Sequence, residues 1–65
     1  MIIVEVQTND QGVSAILTDQ KSDENQADSS YYSRLSSAAV SNVKKHTVFL
    51  LNENGACIKS KCYTH

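Results

Sequence analysis

The sequence predicts a small α+β domain of order β-β-α-β-β, in which one amphipathic helix packs across one face of an antiparallel sheet. Three observations support this fold class. First, only residues 23–46 show a helical period of apolar side chains. Second, two apolar segments precede this stretch and two follow it. Third, a turn sequence that contains asparagine and glycine lies between the two segments of each pair. One apolar helix stripe and one apolar sheet face bury each other, so the whole chain, 1–65, is predicted to be a single domain.

The amino-terminal hairpin is predicted from two strands at about 2–8 and 13–18. The first segment is rich in β-branched residues, which favour strands, and its polar residues Glu5 and Gln7 alternate with Val4 and Val6. The residues between the strands, 8–12, include asparagine, aspartate and glycine, which tolerate turn conformations.

The helix is predicted over about 24–45. Asp23, followed three residues later by Gln26, matches a capping box at the helix start. Its apolar stripe recurs every four residues: Ala27, Tyr31, Leu35, Ala39 and Val43. Lys44, Lys45 and His46 are expected at its carboxyl end, where positive charge favours the helix dipole.

The second hairpin is predicted from strands at about 47–52 and 56–64, joined by a turn at Asn54-Gly55. Alternation along the four strands, together with the helix stripe, predicts one core: Val4, Val6, Ala15, Leu17, Leu35, Ala39, Val43, Val48, Leu50 and Ile58. If the strand phase is shifted by one residue, Ile3, Ile16 and Phe49 enter the core in place of their neighbours.

The length of the chain limits the size of its core, and its charges are unevenly distributed. A chain of 65 residues buries only about 60 % of the surface that it exposes when unfolded, so its core is small. The formal net charge is −1, but residues 1–30 carry six acidic groups and one basic group, and residues 31–65 carry five basic groups and one acidic group. The two halves of the chain therefore have opposite net charges, −5 and +4.

No segment approaches the roughly 20 apolar residues that span a bilayer, and no signal peptide is recognised at the amino terminus. We therefore expect a cytoplasmic protein with reduced cysteines and no membrane partner.

Catalytic and metal-binding chemistry is not predicted. Cys57, Cys62 and His65 form C-x4-C-x2-H, with His46 as a fourth candidate ligand for zinc. In a regular strand, however, residues three or five apart point to opposite faces, so these groups do not converge. We expect one buried and one partly exposed thiol, and the sequence leaves open whether the cysteines are free, oxidised or metal-bound. No catalytic, cofactor-binding or metal-binding residue is predicted.

The function predicted from these properties is that of a small non-enzymatic protein-binding module, which docks on a partner protein of unknown identity through charged faces. One predicted contact face is the acidic helix start: Asp23, Glu24 and Asp28. The opposite face is predicted on the last strand: Lys59, Lys61 and Tyr63. In its size and its lack of a catalytic motif, the chain resembles small inhibitors and adaptors encoded by phages and mobile elements.

Two alternatives remain open at this point. A nucleic-acid-binding protein would use a basic face formed by the helix end and the last strand: Lys44, Lys45, Lys59 and Lys61. Its acidic half and a pI near 6.0 argue against such binding. Self-association into a homodimer is the second alternative, because the apolar segment Val48 to Leu51 and the small core both favour it.

Overall fold

The computed structural model describes residues 1–65 and confirms the predicted α+β domain of order β-β-α-β-β. Its elements are β1 (Ile2–Thr8), β2 (Ser14–Gln20), α1 (Glu24–Ala39), β3 (Lys45–Leu51) and β4 (Cys57–Thr64). The four strands form one antiparallel sheet in the order β2-β1-β3-β4, so the two chain halves meet where β1 pairs with β3.

Both hairpin turns are built in the same way. In each turn an asparagine, Asn9 or Asn52, accepts through its Oδ1 atom from the backbone N–H groups two and four residues further along. A glycine with positive φ completes each turn, Gly12 at 79° and Gly55 at 83°. These local signals explain why both hairpins could be predicted from the sequence.

The helix begins where it was predicted to begin. Asp23 is the N-cap, and its Oδ1 accepts from the backbone N–H of Asn25 at 3.2 Å. The side chain of Gln26 lines a surface groove instead of completing a capping box. With 16 residues and a largely polar surface, α1 does not meet the length and apolarity that crossing a membrane requires.

The end of the helix differs from the prediction. α1 ends at Ala39, with Val40 as its C-cap, and not near residue 45. The hydroxyl oxygen of Ser41 accepts from the N–H of Val43 at 3.1 Å, a local bond that competes with helical hydrogen bonding. Consequently Lys44 lies in a connecting segment, and Lys45 opens β3 rather than closing the helix.

One side of the sheet faces the helix. The core there is a cluster of five buried residues, with Met1 and Leu35 packed against it: Ile3, Ala27, Tyr31, Val48 and Leu50. The predicted phase of β3 was right, whereas that of β1 was wrong by one residue. Four other residues that were predicted to be buried are exposed: Ala15, Leu17, Ala39 and Ile58. The physical reason for the β1 phase is that Glu5 points toward the helix, where it has buried polar partners.

The other side of the sheet has no element packed on it, and we call it the open face. Direct pairing across the strands places six large apolar side chains on it: Ile2, Val4, Val6, Ile16, Phe49 and Leu51. Five of them are half-buried, and Ile16 is exposed. The sheet therefore has a second apolar side besides the one that the helix covers.

Candidate functional site

The outer strand β2 is the main candidate interaction site. Backbone hydrogen bonds at the two ends of the first hairpin, Lys21 N–H to Met1 C=O at 2.9 Å and Asn9 N–H to Val13 C=O at 3.0 Å, set the phase of the ladder. Alternate residues of an antiparallel strand direct their N–H and C=O groups to opposite sides. The residues whose backbone groups face outward are therefore Ser14, Ile16, Thr18 and Gln20.

The two edges of the sheet differ in how well they are protected against an added strand. β4 has a register shift opposite Leu50 and Leu51, and it carries Lys59 and Lys61; bulges and lysines both discourage edge pairing. β2 pairs with β1 over seven regular positions without a bulge, lysine or proline, and all its residues except Asp19 are exposed. β2 is thus the edge that is open to another strand.

A polar groove of about 460 Å³ runs beside this strand, between β2 and the helix. It is lined by Asp19, Lys21, Gln26, Ser29, Ser30 and Ser33. The Ser30 hydroxyl donates to Asp19 Oδ2 at 2.9 Å, and this hydrogen bond is the main reason why the pKa of Asp19 lies below 3.8, with Lys21 adding to the effect. A second groove of about 320 Å³ shares Ser30 and Ser33 and continues to Arg34. Together the grooves form a hydroxyl-rich trough along the helix.

The predicted acidic contact residues differ in whether they are paired. Asp23 and Glu24 are exposed and form no ion pair, whereas Asp28 lies 3.5 Å from the Nζ atom of Lys59. Lys59 also donates to the Tyr32 hydroxyl at 3.1 Å and lies 5.0 Å from the Tyr32 ring centroid. The bond to Tyr32, followed by the charge of Asp28, raises the pKa of Lys59. The acidic and basic sets therefore contact each other and are not opposite faces.

The four lysines of the nucleic-acid alternative do not form one patch. Lys59 and Lys61 pair with Leu50 and Val48, on the helix side of the sheet. Lys45 pairs with Thr8 and Thr64 on the open face, and Lys44 precedes β3. The Lys61 Nζ atom lies over the ring of Tyr63, 5.6 Å from its centroid, so Lys61 and Tyr63 of the predicted basic face are neighbours.

A buried polar cluster was not predicted from the sequence. Glu5 Oε2 contacts His46 Nδ1 at 2.8 Å, and Arg34 Nη1 donates to Glu5 Oε1 at 3.2 Å. On the other side of the ring, His46 Nε2 contacts the Ser41 hydroxyl at 2.7 Å. Glu5 and His46 are only 5 % and 3 % exposed. The one available signal was an acidic residue within a strand of β-branched residues.

The serine, histidine and carboxylate of this cluster are groups that can activate a hydroxyl for nucleophilic attack. Here the Ser41 oxygen already accepts from the N–H of Val43, and the second Glu5 oxygen is bound by Arg34. Neither groove is lined by Ser41 or His46. What the cluster does in this fold is to connect β1, α1, the segment after it and β3.

The cysteines differ from expectation. Cys57 and Cys62 are both exposed and free, so neither is the buried thiol that was expected. The register shift pairs Cys57 with Leu51, and Cys62 pairs with Thr47 in the regular part of the ladder. Both are positions of the open face, about 13 Å apart along the strand. Nowhere in residues 1–65 do three or more histidine, cysteine, aspartate or glutamate side chains gather as a metal site.

Comparisons with models of known protein families, with curated proteins and with solved structures gave no match. Function is therefore inferred from the chain's own geometry, of which the β2 edge, the adjoining trough and the free acids at the helix start are the relevant parts.

Proposed function

We propose that this chain is a non-enzymatic protein-binding module that takes up an extended segment of a partner protein along β2. The observation that supports the proposal is the unprotected edge of seven regular positions, whose outward backbone groups can pair with an added strand. Main-chain hydrogen bonds would supply affinity, and the module would act as an inhibitor or adaptor on its partner.

The side chains around the edge specify the chemistry of the segment. Leu17, on the helix side, and Ile16, on the open face, are 42 % and 68 % exposed, so apolar partner residues can pack on either side of the added strand. Asp23 and Glu24 lie at the start of α1, close in sequence to the groove residue Gln26, and favour basic residues in the partner. The proposed ligand is an extended apolar segment flanked by lysine or arginine.

The test is capture of partners by the tagged chain from lysate, comparing Thr18→Pro with Thr18→Ala. Thr18 directs its N–H outward, so proline removes a donor to the added strand without removing a bond of the β1–β2 ladder. We expect Thr18→Pro to reduce recovery of the partner at least tenfold, roughly the effect of losing 1.4 kcal/mol of binding free energy, while Thr18→Ala retains it.

Two results would contradict this proposal. Equal recovery by both variants would place the partner on another surface of the protein. Recovery that disappears after nuclease treatment and falls steeply with salt would instead identify a nucleic-acid ligand of the lysines, Lys59 and Lys61 in particular.

A further inference from the structure

The open face is almost free of charge. Its three successive rows across β2, β1 and β3 are Gln20–Ile2–Leu51, Thr18–Val4–Phe49 and Ile16–Val6–Thr47. None of these nine residues is ionisable, and Lys45 lies beyond them at one end of the sheet. A surface without charge can face an identical surface without like-charge repulsion, whereas the helix side, with its ion pairs and lysines, cannot do so equally well.

Covering the open face would stabilise the fold, because the core on the helix side is small. Only eight of 65 residues are buried, and the core cluster has five members, fewer than the six large apolar side chains of the open face. Four strands about 4.8 Å apart, each of about seven residues rising about 3.3 Å, give the face a flat area of roughly 450 Å². Two copies then cover roughly 900 Å² before side-chain relief is counted, close to the ~1,000 Å² expected of a specific interface.

We propose that the open face binds a second copy of this chain, forming a two-fold symmetric sandwich of two sheets with the helices outside. The paired residues Val4 and Phe49 lie on the two central strands, so the symmetry axis would pass near them and both copies would contribute the same residues. Sheets packed in this way lie about 10 Å apart, with their side chains interdigitating. The dimer would bury the open-face side chains, including those of Ile16 and Thr18, whereas the proposed partner strand pairs with the outward backbone groups of β2, which stay accessible at the side of the sandwich.

The experiment is the solution mass by light scattering and sedimentation, measured for the native chain and three lysine variants. We expect twice the 7.2 kDa of one chain for the native protein and for Ser36→Lys, which places the same charge on the exposed helix surface. Val4→Lys, at the centre of the face, is expected to return the mass to 7.2 kDa. Ser60→Lys gives a second test, because Ser60 is exposed and pairs with Phe49, so its replacement does not depend on the monomer's core.

Circular dichroism of each variant shows whether it is folded. A native chain that remains monomeric at about 0.5 mM, roughly 500-fold above a dissociation constant of about 1 µM, would overturn the proposal. A dimer that persists in folded Val4→Lys and Ser60→Lys would also overturn it. Loss of that dimer in Thr18→Pro but not in Thr18→Ala would then show pairing through the backbone of β2, because Thr18→Ala changes the same open-face side chain and keeps the N–H. Partner capture is measured separately with Thr18→Pro, so failure of the dimer leaves the proposed β2 function standing, and the converse also holds.

Discussion

Glu5 shows how a single residue determines which side of a strand is buried. Alternation with Val4 and Val6 predicts that it points to solvent, yet it faces the helix and is 5 % exposed. Its partners Arg34 and His46 lie 29 and 41 residues further along the chain. Reading β1 by itself cannot reveal them, because a carboxylate in an apolar strand is expected to be solvated unless its distant partners are known.

The buried cluster should be sensitive to truncation. We expect Glu5→Ala to lower the free energy of unfolding by about 3 kcal/mol, because the charge of Arg34 and the ring of His46 lose their carboxylate partner. Urea denaturation measures the change. The matched control is Glu53→Ala in the exposed second turn, for which a change within about 0.5 kcal/mol is expected. Equal effects of the two substitutions would contradict a structural role for the cluster.

The lowered pKa of Asp19 gives a prediction for the behaviour of the protein at acidic pH. Ser30→Ala removes the hydroxyl that chiefly lowers the pKa of Asp19, so that pKa is expected to rise toward 3.8. Because the pKa of Asp19 is lower in the folded than in the unfolded chain, ionised Asp19 stabilises the fold at pH values above its unfolded pKa. This stabilisation is lost as the pH falls through the folded-state pKa. The free energy of unfolding of Ser30→Ala should therefore decrease less on acidification than that of the native chain. NMR titration of the carboxyl carbon measures the shift. An unchanged pKa in Ser30→Ala, with Ser29→Ala as the control, would contradict the assigned cause.

Local sequence signals were sufficient to predict the order of the helix and strands and the positions of the turns. The two asparagine-glycine turns and the Asp23 cap act within a few residues, and each occurs where the sequence predicts it. The helix end was not predictable in this way, because the four-residue spacing continues through Ala39 and Val43 while the Ser41 side chain binds the backbone after the helix. The apolar period therefore continues beyond the residue at which the helix ends.

Substitutions at Asp23 can distinguish its role as the helix cap from its proposed role in partner binding. Asp23→Ala is expected to lower the free energy of unfolding by about 1 kcal/mol through loss of the bond to the Asn25 N–H, whereas Asp23→Asn retains the cap. Thermal unfolding compares the two. If the acids bind a basic partner segment, Asp23→Asn combined with Glu24→Gln should weaken capture while the cap to the Asn25 N–H is kept. Similar unfolding for Asp23→Ala and the native chain would show that the cap contributes little.

The opposite charges of the two chain halves partly neutralise each other within the folded domain. Glu5 meets Arg34, and Asp28 meets Lys59, each pair joining the acidic and the basic half. The sequence predicts the charge imbalance correctly but cannot show which charges neutralise one another, since that depends on how the helix lies on the sheet. Asp23 and Glu24 are among the charged residues that form no ion pair, and together with the unprotected edge of β2 they make up the surface proposed for binding.

The most direct test of that proposal is backbone amide hydrogen exchange, measured residue by residue by NMR, in the free chain and with the captured partner. The outward-facing N–H groups of Ile16 and Thr18 should exchange rapidly in the free chain, and at least tenfold more slowly when a partner strand accepts from them. Leu17, whose N–H faces β1, serves as the internal reference. Protection confined to other elements, with Ile16 and Thr18 unchanged, would contradict binding along β2.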